Sequence, residues 1–121
     1  MTATPTELYV FGSRAGPRRP RLMLDVFPDA NGMVGPEHPP LPRGPSAFAD
    51  LSYALLTGHW HVLPKGTLLP EGVEVVADGI DAYAGSPLPA THHTIYPAVR
   101  MPMAQFIALF MGLPWHYGGK K

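Results

Sequence analysis

The chain has 121 residues, a length that fits a single domain spanning 1–121 with one modest core and leaves no room for separate catalytic and regulatory domains. Nine Lys and Arg balance nine Asp and Glu, so no net field would hold the protein on nucleic acid or on an anionic membrane. With no Cys, a disulfide framework, a thiolate metal site and a cysteine nucleophile are excluded, and with 16 Pro and 13 Gly, short elements joined by rigid turns should dominate.

Residues Met1 to Glu7 lack the basic and apolar regions of a signal peptide, and no apolar run is long enough to cross a membrane. The expectation is a protein made in the cytoplasm, needing a dedicated machine if it leaves the cell. Leu8-Tyr9-Val10-Phe11 reads as a buried strand ended by Gly12-Ser13. Arg14 to Arg21 contains four Arg and no acid and reads as a basic, flexible loop. Leu22 to Phe27 is expected to form a second short strand. Pro28 to Pro45, rich in Pro and Gly and without periodicity, has the character of a functional loop.

Ser46 is a plausible N-cap of a helix of two to three turns, with Phe48, Leu51 and Leu55 at helical spacing and Gly58 available to end it. His59 to Leu63 reads as a strand closed by the turn Pro64-Lys65-Gly66, and Pro70-Glu71-Gly72 turns the chain into the strand Val73-Glu74-Val75-Val76. Asp78 to Ala90 should connect strands across the surface, and Thr91 to Tyr96 should form the next strand, stopped by Pro97. A helix is predicted over Met103 to Met111, entered at Pro102 and stopped by Gly112 and Pro114, with Met103, Phe106, Ile107 and Phe110 on one stripe. Trp115 to Lys121 is left as a flexible, basic tail. The sum is an α+β fold of small mixed or antiparallel sheets with two short helices.

Thr91-His92-His93-Thr94-Ile95-Tyr96-Pro97-Ala98 is the most distinctive stretch for chemistry. Strand alternation puts His92, Thr94 and Tyr96 on one face and Thr91, His93 and Ile95 on the other, so one histidine faces a site unless a bulge intervenes. A purely structural pair, one His exposed and the other satisfied in a polar corner, is the competing reading. His59 and His61 share a spacing compatible with two metal ligands, but zinc needs three or four and no third stands at a diagnostic distance in sequence. Solvent-facing histidines flanking Trp60 are expected there, and no metal.

The arginines of the basic loop, with Arg43, match phosphate oxygens in charge and fork geometry, although a solvated loop explains them as well. Ser46 at a helix start would place its hydroxyl against an anion or simply cap the helix. Gly44-Pro45-Ser46 is not a phosphate-binding loop of the Walker type, and neither a dinucleotide fingerprint nor a Gly-x-Ser-x-Gly elbow occurs.

Read in order, Leu8-Tyr9, Asn31-Gly32, Gly44 with Ser46 and Phe48, Pro64-Lys65-Gly66-Thr67 with Leu69-Pro70 and Val73, then Thr91 to Ala98 and Met101-Pro102-Met103, resemble the ADP-ribosyltransferase-like toxins typified by a Pseudomonas type VI secretion effector. The resemblance implies an α+β toxin fold, NAD as the substrate of an ADP-ribosyltransferase or an NAD glycohydrolase, action in the cytoplasm of a target cell and neutralisation by a cognate immunity protein. It implies a catalytic group of His92, Ser46 and His93. It further implies a hydrogen bond from His92 to a ribose hydroxyl, Ser46 on the ribose or the nicotinamide amide, Arg21 on the pyrophosphate, Tyr9 or Tyr96 stacked on the nicotinamide, and Thr94 beside the same substrate. Pro45 replaces a family Thr, His93 stands at a usual Tyr, and Val10 stands where related transferases carry Arg. Glu71, Glu74 and Asp50 are the candidates for a catalytic acid.

Two other classes remain open. One is a catalytically silent binding module, which predicts no NAD binding and tolerance of change at Ser46 and His92. The other is a histidine-dependent nuclease or phosphotransferase using the basic loop on RNA, which predicts strongly salt-dependent binding.

Overall fold

In the computed structural model, which describes residues 2–36, 43–51, 57–78 and 92–121, the short apolar runs form strands. Their alternating side chains give each a face to bury. In chain order the elements are β1 (Leu8–Ser13), β2 (Gly16–Pro17), β3 (Met33–Val34), β4 (Ser46–Phe48), β5 (His59–Leu63), β6 (Val73–Ala77), β7 (His92–Pro97), β8 (Met101–Pro102), α1 (Met103–Met111) and β9 (His116–Lys120). The main sheet runs β6-β7-β4-β1-β5-β9, with β2 added to β1, and β3 pairs separately with β8. Every strand pairing is antiparallel.

Register divides the main sheet into two chemically different faces. Leu8 lies opposite Leu63, Ala47 opposite His93 and Val75 opposite Ile95, and this face packs against Phe106 and Phe110 of α1 to make the core. Phe106 and Phe110 are fully buried, and each such ring contributes about 1.5–3 kcal/mol by leaving water. The other face carries Tyr9 opposite Phe48, Phe48 opposite His92, and Ser46 opposite Thr94. Aromatic edges tie it together, Tyr9 against Trp60 with ring centres 5.6 Å apart and Phe48 against His92 at 5.3 Å.

The strands expected at Leu8, His59, Val73 and before Pro97 are all present, as is the helix over Met103 to Met111. Thr91 and most of the connection from Asp78 to Ala90 lie outside the described residues, as does Leu55. Ser46 does not cap a helix: Ser46–Phe48 is the strand β4. The cause is the approach to β7. Gly44 lies so close to Ile95 that a Cβ there would overlap its carbonyl oxygen, and the Ile95 N–H donates to the Pro45 carbonyl at 3.1 Å. The ladder to β7 therefore takes the backbone that a helix would have used. Among the described residues α1 is the one helix, and residues 52–56 of the second one expected lie outside them.

Leu22 to Phe27 is a tight turn instead of a strand. The Arg21 carbonyl accepts from the N–H groups of Leu24, Asp25 and Val26, while the Asp25 carboxylate accepts from the Arg21 N–H. Met23 takes the left-handed φ of 63° that this closure demands. The tail is also ordered, since residues from His116 onward form β9 on the edge of β5. Gly118 lies under the Trp60 ring where a Cβ would collide with it, and Gly58 and Lys121 exchange backbone hydrogen bonds of 2.9 and 2.8 Å. An aromatic ring seated on glycine thus pins a segment whose composition reads as loose. No helix among the described residues is long and apolar enough to cross a membrane.

Candidate active site

β4 and β7 bring Ser46, His92 and Thr94 onto one face, and β6 supplies the partner beneath them. The β6–β7 register pairs Ala77 with His93, and one residue on the Asp78 N–H donates to the His92 carbonyl at 3.2 Å. Asp78 is therefore the cross-strand neighbour of His92, and the alternation turns both side chains to the same face. Nδ1 of His92 lies 2.5 Å from Oδ1 of Asp78, and Nε2 lies 2.9 Å from the Ser46 Oγ. The Thr94 hydroxyl donates to Oδ2 of Asp78.

These contacts set the direction of the proton chain. An ionised carboxylate only accepts, so Nδ1 donates to Asp78; in the neutral ring Nε2 then accepts from the Ser46 hydroxyl. Asp78 is 2% exposed. Burial pushes its carboxyl up, but hydrogen bonds from His92 and Thr94 and the charge of His92 outweigh this and hold it below the ordinary carboxylate range. His92 is 4% exposed and both of its nitrogens are engaged. Ser46 is exposed.

β1 and β4 share the single register pair Tyr9–Phe48. Beyond it lies a cavity of about 270 Å³ whose lining includes Val10, Phe11, Arg18, Arg21, Ser46 and Phe48. Ser46 is the member of the chain that lines it; His92 and Asp78 lie behind. Arg21 pairs with Asp25 at 3.0 Å, an exposed i,i+4 bridge, whereas Arg18 has no side-chain hydrogen bond or ion pair within the described residues. Arg43 stands over the Phe27 ring at 4.4 Å.

The remaining candidates are dispersed. His93 projects to the core face, opposite Ala47, and is 7% exposed, so it does not join His92 at the hydroxyl. Its placement follows from the odd position in the alternation. Tyr9 lines a different cavity with Asp50 and Lys121, and Tyr96, paired with Glu74, does not line the Ser46 cavity. Thr94 binds Asp78, not open space. Glu71, Glu74 and Asp50 stay outside the Ser46 cavity, where Asp25 is the carboxylate present. His61 is buried at 3% exposure, contrary to a solvent-facing position, and its Nε2 donates to the Ser13 carbonyl at 2.7 Å. Asp78 is the residue that sequence reasoning missed. A carboxylate two positions past the β-branched run that ends at Val76 was the available signal.

A hydroxyl backed by a buried histidine and carboxylate, facing arginines across a small cavity, is equipped for group transfer from an anionic substrate. The model of the Tse2 ADP-ribosyltransferase toxin family matches residues 6–113. The chain belongs to this family, and the matched range contains Arg18, Arg21, Ser46, Asp78 and His92. No curated protein and no solved structure matches the chain.

Proposed function

We propose that the protein is a single-domain, NAD-consuming ADP-ribosyltransferase toxin, delivered by a secretion system into the cytoplasm of a target cell and kept silent in the producer by a cognate immunity protein. The observation that carries this reading is the Ser46–His92–Asp78 hydrogen-bond chain opening onto a cavity with Arg18 and Arg21.

The residues present suit the substrate. A cavity of about 270 Å³ is small beside the roughly 300–1,000 Å³ of sites that enclose a drug-sized ligand, so it takes one half of a dinucleotide and leaves the rest against the arginine-bearing hairpin. Arg18 meets pyrophosphate oxygens directly, and Arg21 does so by exchanging Asp25 for phosphate. Phe11 and Phe48, which line the cavity, take the stacking role expected of Tyr9 or Tyr96.

Bound NAD supplies a ribosyl bond to a good leaving group, and its cleavage develops positive charge at the anomeric carbon. The Ser46 oxygen, its proton shared with His92, turns its lone pairs toward that ribose. Asp78 fixes the histidine tautomer and favours any charge the ring acquires. His92 acts on the substrate through Ser46.

Induced expression in a bacterial cytoplasm, with NAD and labelled ADP-ribose followed over time, tests the reading. Growth arrest with NAD loss, abolished in folded His92→Ala and Ser46→Ala variants, is expected. Arrest without NAD loss would turn the reading toward a nuclease, and unimpaired growth toward a silent module.

A further inference from the structure

Of the three groups in the proton chain, only Ser46 lines the cavity. His92 is buried with one nitrogen on Asp78 and the other on the Ser46 oxygen, so it has no nitrogen left to offer to a ligand. A base held in this way acts by removing the serine proton, which makes the oxygen a nucleophile. The same three residue types serve acyl transfer elsewhere, but acyl transfer also needs N–H donors aimed at an oxyanion. Attack on an anomeric carbon builds no oxyanion and needs no such donors. Arg18 and Arg21 on the same cavity suit the diphosphate of the same substrate.

We propose that Ser46 is itself an acceptor of ADP-ribose, so that the protein modifies its own active-site serine and thereby closes its own cavity. This rests on NAD being the substrate. The bond between the ribose anomeric carbon and the nicotinamide nitrogen breaks, and its electron pair leaves with neutral nicotinamide. A bond from the Ser46 oxygen to the anomeric carbon forms, and the serine proton passes to Nε2 of His92 and on to solvent. Nothing is oxidised or reduced. The product is an O-glycoside, an acetal that lacks the reactivity of an ester, so it stops turnover instead of passing the group onward.

The test uses the purified full chain with NAD as the probe, following nicotinamide release, intact mass and the site of any adduct by peptide mapping. The expected result is a burst of nicotinamide that decays as one ADP-ribosyl group per chain accumulates on Ser46. Ser46→Thr keeps a hydroxyl and should retain a slower adduct, whereas a folded Ser46→Ala shows none at that position. Asp78→Asn should slow the adduct and change its pH profile. Steady nicotinamide release with Ser46 unmodified overturns the proposal and leaves NAD consumption standing. Neither nicotinamide nor adduct overturns both.

Discussion

Asp78, one residue past the end of β6, faces His92 on β7, joined to it by a backbone hydrogen bond of 3.2 Å and a side-chain contact of 2.5 Å. The strand ladder itself thus holds the carboxylate against the ring. The ladder fixes the spacing of the two backbones, and the side-chain bonds to Asp78 and Ser46 fix the ring on both of its nitrogens.

Replacement of Asp78 by Asn keeps the shape and removes the ionised acceptor. Loss of the preferred tautomer should lower the rate of nicotinamide release by about 10²–10⁴-fold, the scale of a positioned acid–base group, with a much smaller change in KM. An altered pH–rate profile in a protein with an unchanged circular dichroism spectrum would separate this from misfolding. An unchanged profile and rate would remove Asp78 from the chain.

Thr94→Val is nearly isosteric but deletes one donor to the buried Asp78 carboxylate. A hydrogen bond to a charged group carries about 1.5–3 kcal/mol, so chemical denaturation should report a loss of that order.

Acid should destabilise the fold in a particular window. Asp78 and Asp29 both have pKa values lowered from the ordinary 3.8, Asp78 by its partners despite burial and Asp29 mainly by the Met33 N–H and Arg100. A carboxylate lowered on folding contributes fully above its ordinary value, and that contribution disappears as pH falls through the lowered one. Denaturation midpoints measured from neutral pH to about pH 2 should therefore fall below 3.8, and Asp78→Asn should flatten part of the decline.

Gly44→Ala forces a methyl group onto the Ile95 carbonyl. Overpacking of this kind costs about 1–3 kcal/mol, and here it also pushes β4 from β7, the pair that aligns Ser46 with His92. Activity should fall more than the shift in melting temperature alone explains.

Arg18→Ala should raise KM for NAD by about 10–100-fold, the equivalent of one charged hydrogen bond, with kcat little changed. Asp25→Asn releases Arg21 from its bridge and should lower KM. Initial rates of nicotinamide release by the two variants over a range of NAD concentrations check both, and opposite directions are required.

The strands and the last helix were legible because their apolar positions recur at the right period, and the same alternation placed His92 and Thr94 together on one face. Ser46 was misread because a short polar residue before apolar ones signals a helix start locally. The contact that overrides it, Gly44 on Ile95, joins residues fifty-one positions apart in sequence. Asp78 belonged to a stretch whose small residues read as a connection, and its role arises from register with a strand further on. The basic tail reads as flexible in sequence, yet Gly118 within it is what admits the Trp60 ring.

His92 and His93 are neighbours with opposite surroundings, and only the register of β7 decides which meets Ser46. A slip of β7 by a single residue would still present an imidazole to the serine, but it would exchange Thr94 for Ile95 beside the carboxylate and bury a hydroxyl in the core. Two flanking strands, β4 and β6, check that register from either side. Correct pairing of the central strand is in this protein the same event as assembly of the proton chain, so a misregistered chain is an inert one.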